Sequence, residues 1–384
     1  MSLSRNGVFA ALAAVVVALP AQAQSGRSAT PALFGAPSGP VETSGNTSAP
    51  SNWRLEAGMN FNGVAGAFDG TALLLFTASG LSGTYACSGS LMQGGQYVLT
   101  AGHCTDGLLT MQVQFGYTNN VALETRTVVA AYQAPGWNGT LDTGADMALV
   151  KLSAPVTNLP TYKLSTTNDI GKDYILTGYG TSGTGRKIGS PNWNDGNYGH
   201  YGYNTFDVAS SDFTAAWDAF SGEGTHTDPT YGMTYVSDFD PYRVRNAAQY
   251  NTLSVVAGLT GGGWTSSAGL GADEALIAGG DSGGGDFIWN GSEWVLSAVH
   301  SWGWQFCQGR VTPSCDFHAT NSSSYGDLSG STAVFDHVDW INSVLSGAEG
   351  ATVTLVPEPA SYALLGIGLA AVGAAVRRRR QKAA

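Results

Sequence analysis

Short apolar or alternating runs, punctuated by Gly, Asn and Asp, fill the first half of the chain. TALLLFTAS (71–79), TYACSGSLM (84–92), QYVLTA (96–101), TMQVQFGYT (110–118), ETRTVVAAYQA (124–134) and DMALVKLSA (146–154) each read as a strand. Their length and spacing predict an antiparallel barrel or sandwich. KDYILTGYGTSGTG (172–185) continues the pattern, and EWVLSAVHSWG (293–303) predicts a late strand. Between them lies a polar, aromatic stretch from about 187 to 250. STAVFDHVDWINSVL (331–345) shifts to helical spacing, with Val334, Val338 and Ile341 on one face. No internal repeat is visible.

Both ends follow other patterns. Residues 1–23 combine Arg5, an apolar run from Val8 to Leu19 and the small-x-small site Ala21-Gln22-Ala23. They read as a cleaved signal peptide, because the apolar run is too short to span a bilayer comfortably. Residues 24–60 begin rich in Ser, Pro, Gly, Ala and Thr and read as a flexible spacer or propeptide. At the far end, Pro357-Glu358-Pro359 precedes an uncharged stretch 360–376, then Arg377 to Arg380. Its length is at the short limit for a membrane span, and the basic cluster would stay cytoplasmic. The three-part pattern over 348–384 resembles the PEP-CTERM sorting signal. That resemblance implies recognition by an exosortase-type machinery and sorting from the periplasm to the outer surface or extracellular matrix. The C-terminal helix would be a transient or permanent membrane anchor.

Charge narrows the partners. Without Arg5, Arg377–Arg380, Lys382 and Glu358, 11 basic and 27 acidic residues remain, a net charge near −16. Such a field repels nucleic acid and anionic membrane surfaces. Nothing in the sequence asks for a cofactor. Asp238 and Asp240 in SDFDPY lack the spacing of a standard calcium loop, so no metal is expected.

The glycine-rich IAGGDSGGGDF (277–287) frames Ser282. A serine hydroxyl needs a base within reach, and the base an orienting acid. Six histidines are available, and His103 is distinguished by its setting in QYVLTAGHCTDG. CSGSLM…YVLTAGHC resembles the histidine region of the chymotrypsin-like (trypsin-family) serine proteases. DMALVKL resembles the family's aspartate strand, GDSGGG its nucleophile loop, HSWG its substrate-binding strand and VFDHVDWIN its closing helix, all in family order. Asp142 competes with Asp146 as the acid but lacks the following strand.

The resemblance implies an all-β fold of two packed antiparallel six-stranded β-barrels with a short C-terminal helix, spanning 61–347. Barrel 1 would cover about 61–165 and barrel 2 about 166–347, with an insertion at about 187–250. It implies a catalytic triad of His103, Asp146 and Ser282, and an oxyanion hole from the N–H groups of Gly280 and Ser282. Ser301, Trp302 and Gly303 would bind an extended substrate. Asp281 would be the zymogen-switch aspartate, with Val64 a candidate for a new N-terminus. It also implies Cys87–Cys104; Cys307, lacking its usual partner because Ala278 stands there, would pair with Cys315. Gly285 replaces a family proline. Leu276 falls at the floor of the primary pocket, which would favour apolar side chains, although Asp273 and Glu274 lie near in sequence. The expected function is a monomeric, exported serine endopeptidase acting on protein or peptide substrates. The competing expectation is a catalytically silent protease-fold binding or matrix protein.

Overall fold

The computed structural model describes residues 27–28, 32–33, 53–185, 198–224, 231–318 and 323–355. The expected signal peptide and the 360–376 helix lie outside them. No helix among the described residues is long and apolar enough to cross a membrane.

Six strands form the first barrel: β1 Thr71–Ala78, β2 Tyr85–Leu91, β3 Tyr97–Thr100, β4 Leu108–Thr118, β5 Val121–Gln133 and β6 Ala148–Leu152. They neighbour in the order β6-β3-β2-β1-β4-β5, and β5 pairs back with β6, closing the ring. Leu74, Val98, Val113, Phe115 and Leu149 are fully buried in its core. All six strands fall on apolar runs of the sequence, because a barrel interior demands apolar side chains along each wall.

The second sheet contains β7 Asp173–Gly178, β8 Gly199–Thr205, β9 Val208–Ala209, β10 Thr234–Asp238, β11 Gly285–Trp289, β12 Trp294–Trp304 and β13 Leu328–Ala333. Their order is β9-β10-β13-β12-β11-β7-β8. The two ends of this path are joined by the chain itself, since β8 runs into β9 through Phe206 and Asp207. Across that seam, Ser237 Oγ donates to Thr205 O at 2.6 Å and Asn204 Nδ2 to Asp238 O at 2.8 Å.

The segment read as an insertion therefore differs from expectation. It supplies β8, β9 and β10 to the barrel wall, plus helix α1 Ser210–Ser221. The reason it escaped is visible in β8, GHYGYNT, which has no aliphatic alternation. Its Gly202 lies where a Cβ would run into the Ala275 Cβ, so the Ala275 methyl group takes the place of a side chain there. Tyr201 packs on Trp53 and Phe61, and Tyr198 lies under Arg54. These aromatics are packing groups.

Helix α2 Thr252–Thr260 begins with Asn251 capping Ser254 N at 2.9 Å and ends on Gly261 in the left-handed region. With α1 it packs Phe213, Trp217, Leu253 and Val256 behind β12, against Trp302 and Trp304. After a 3₁₀ turn at Phe335–His337, helix α3 Val338–Leu345 returns to the first barrel. There Val334, Ile341 and Val344 join the first barrel's core. Two short strands precede everything else. Arg27–Ser28 pairs antiparallel with Trp304 and Gly303 of β12, and Ala32–Leu33 antiparallel with Ala86 and Tyr85 of β2.

Candidate active site

Strand register brings the first two groups together. Thr100 of β3 pairs with Ala148 of β6. Continuing that antiparallel register by two residues sets Asp146 opposite Gly102, beside His103. The 3₁₀ turn Gly102–Thr105 then presents the imidazole. Asp146 Oδ2 lies 2.8 Å from His103 Nδ1, and Asp146 Oδ1 accepts the His103 backbone N–H at 2.9 Å. From the second barrel, Ser301 Oγ donates to Asp146 Oδ2 at 2.5 Å. The carboxylate is 1% exposed, with both oxygens engaged. Burial pulls the pKa of His103 down, but the charge and hydrogen bond of Asp146, with Asp106 adding, leave it raised above the ordinary value. His103 Nε2 is buried and has no hydrogen-bond partner. Asp142 is turned elsewhere, accepting from Ser210 Oγ at 2.6 Å.

Ser282 stands on a turn fixed from several sides. Asp281 N donates to Ala278 O, Gly284 N to Asp281 O, and Gly283 N to His300 O, at 3.0, 2.8 and 2.8 Å. Gly280 and Gly283 have φ of +99° and +81°, the left-handed region that only glycine enters freely. A Cβ on Gly283 would also collide with Thr100 Oγ1 and Ser88 O. Ser88 N donates to Ser282 O at 2.7 Å, and Cys104 Sγ lies 3.7 Å from that oxygen. The turn of Ser282 therefore sits against β2 and the Cys87–Cys104 disulfide, which is next in sequence to His103. No hydrogen bond joins Ser282 Oγ to His103 Nε2, a contact that in unliganded hydrolases often tightens only with substrate bound. Neither Gly280 N nor Ser282 N donates a hydrogen bond among the described residues, so both are open to an oxyanion.

Ser88 is a residue that the sequence reading passed over. Its Oγ donates to Gly280 O at 3.0 Å and accepts Tyr179 N at 2.8 Å, while its carbonyl accepts Thr100 Oγ1 at 2.8 Å. It ties both barrels to the turn of Ser282. Its only sequence signal is its place directly after Cys87.

The cysteines pair Cys87–Cys104 and Cys307–Cys315. Cys87, His103 and Cys104 form the one cluster of metal-type donors among the described residues, and the disulfide consumes its thiols. Asp281 takes N–H groups from Gly180 at 2.7 Å and Ala278 at 2.9 Å. Val64 lies in a hairpin with Phe61, which packs on Phe68 and Tyr201. Leu276 is fully buried with Phe239 and Tyr325. Glu274 turns away, accepting from Asp240 N at 2.5 Å and Leu270 N at 2.6 Å. Trp302, on β12, is buried in the cluster that holds Phe213, Trp217, Leu253 and Val256 of the helices, and Gly303 faces the Arg27–Ser28 strand.

Asp207, Asp238, Asp240 and Glu274 form a second, buried group of carboxyls. Burial and then mutual repulsion raise Asp238 well above the carboxylate range and Asp240 to about 9. Asp207 rises to about 7, and Glu274 is pushed well up, burial being the larger cause in each.

The structure thus sets a His–Asp pair and the turn of Ser282 between a closed six-stranded barrel and the second sheet. Residues 64–214 match the trypsin family model, and residues 355–380 match the PEP-CTERM protein-sorting motif. The first match ends before Ser282. Among solved structures, HL collagenase is 18% identical, with a TM-score of 0.47, covering 78% of this chain and 98% of its own.

Proposed function

We propose that this protein is a serine endopeptidase, sorted after export to the cell surface or extracellular matrix. The observation that carries the reading is the Asp146–His103 pair with Nε2 left unpartnered, next in sequence to Cys104, whose Sγ lies 3.7 Å from Ser282 O. In this mechanism Asp146 fixes the tautomer, His103 Nε2 takes the proton of Ser282 Oγ, and the oxygen attacks a peptide carbonyl. The N–H groups of Gly280 and Ser282 stabilise the tetrahedral oxyanion. His103 then returns the proton to the leaving amine, and water repeats the cycle on the acyl-enzyme. Leu276, buried in an apolar cluster with Phe239 and Tyr325, supports a preference for apolar side chains if it floors the primary pocket as the resemblance implies. Asp281, held by two backbone N–H groups, supports a switch aspartate satisfied without a new N-terminal ammonium.

A fluorophosphonate probe tests the reading. The exported protein should be labelled at one site, and Ser282→Ala should abolish the label. Equal labelling of the two, or none of the wild type, would sink it.

The strand at Arg27–Ser28 occupies the β12 edge along which a substrate would pair. Ser28→Pro removes a ladder donor from that strand. In the full chain it should raise kcat/KM on a peptide ester several-fold, mostly through KM. An unchanged kcat/KM would mean that this pairing does not compete with substrate.

A further inference from the structure

His300 and Asp286 form a second histidine–aspartate pair, on the inner side of the nucleophile turn. His300 lies on β12 and Asp286 on β11, and both side chains are fully buried. His300 Nε2 is 2.6 Å from Asp286 Oδ1, and His300 Nδ1 is 3.0 Å from the carbonyl oxygen of Asp281. A carbonyl can only accept, so Nδ1 carries a proton. The Nε2–Oδ1 contact holds a second proton, shared between ring and carboxyl. The pair thus keeps both ring nitrogens engaged in a fully buried place.

The carbonyl of Asp281 belongs to the same peptide unit as the N–H of Ser282. A trans peptide is planar, and its C=O and N–H point in opposite directions. Whatever fixes the Asp281 oxygen therefore aims the Ser282 N–H. Two donors do so: Gly284 N at 2.8 Å and His300 Nδ1. The backbone of His300 adds two more ties, accepting Gly283 N at 2.8 Å and donating to Gly284 O at 2.9 Å. Gly285 and Ala278, flanking this turn, provide neither a rigid ring nor a disulfide.

We infer that His300, held by Asp286, is a positioning residue that orients the Ser282 N–H as an oxyanion donor. The inference rests on the proposed peptidase reading. The shared proton adds a pH dependence. Asp286 and Asp281 face His300, Tyr174 faces Asp286, and His200 faces Asp281. Burial lowers the pKa of His300, but the charge and hydrogen bond of Asp286, with Asp281 adding, leave it raised. Proton loss from the pair at alkaline pH turns the Nε2 lone pair against the Asp286 carboxylate and loosens the brace.

Two variants test this, with rates expressed per titrated serine and folding checked by near-ultraviolet circular dichroism. His300→Phe removes the Nδ1 donor. It should lower kcat about 10²-fold on a peptide ester and slow fluorophosphonate labelling alike, with KM little changed. Asp286→Asn lets the amide N–H donate to Nε2 of a neutral His300, so the bond to Asp281 O survives without the shared proton. It should keep kcat within a few-fold at neutral pH and lose the alkaline decline of the wild type. A folded His300→Phe with wild-type kcat would overturn the inference. Should that variant fail to fold, an alkaline limb unchanged in Asp286→Asn would overturn it instead. Failure of the peptidase reading looks different, because the wild type itself would then remain unlabelled.

Discussion

Asp146→Asn is expected to lower kcat/KM about 10⁴-fold at neutral pH while leaving the melting temperature nearly unchanged. The carboxylate accepts three hydrogen bonds, from His103 Nδ1, His103 N and Ser301 Oγ. An asparagine oxygen can still accept the backbone N–H. Its amide nitrogen would then face Nδ1 and donate to it, which forces the proton of a neutral ring onto Nε2. That tautomer cannot take the proton of Ser282. The packing survives because the side chains have the same shape, so the loss falls on catalysis. Steady-state kinetics on an activated ester, beside a thermal melt, separate the two quantities. A loss of less than tenfold would remove Asp146 from the mechanism.

The strands of the first barrel were legible because burial on an inner wall writes an apolar signature. TALLLFTAS and DMALVKLSA could hardly be anything else once placed between glycine and asparagine turns. The second barrel was legible only in part. Its β8 is built largely from glycine and tyrosine, and at Gly202 the Ala275 methyl group already fills the place of a side chain. Its β10, TYVSD, ends in a buried carboxylate, Asp238, and lies in a stretch that reads as polar and aromatic. Helices α1 and α2 were missed because their apolar residues face β12 within a run rich in Ser, Gly and Thr.

The candidate site divides in the same way. His103, Asp146 and Ser282 carry recognisable neighbours, and register explains why the first two meet. Ser88 and the His300–Asp286 pair do not show in the sequence. Their roles depend on which backbone oxygen each touches, and that is set by the packing of β2, β11 and β12. Both missed features act on the backbone of residues 280–282, the part of the site where sequence fixes residue type but not direction.

Stability and activity should respond to pH in opposite senses. An unfolded aspartate titrates near 3.9, whereas Asp207 is pushed up to about 7 and Asp240 to about 9 in the folded chain. Between those values the folded state holds protons that the unfolded state has released. Stability is then full below about pH 4 and falls as pH rises through the folded values. Catalysis runs the other way, since His103 must be neutral to act as a base and its pKa is raised. Asp207→Asn isolates the first effect. The amide oxygen can keep the bond from Ser267 N, now 2.5 Å from Asp207 Oδ1, and no charge remains to be buried. At pH 4 the variant should melt with the wild type. By pH 8 it should be more stable by on the order of 3 kcal/mol, read as a rise of several degrees. The neighbouring Asp238 and Glu274 share the repulsion, so part of the gain will appear as their own easier ionisation. A melting temperature that stays level from pH 5 to 9, unmoved by Asp207→Asn, would mean that these carboxyls ionise without cost and would defeat the prediction.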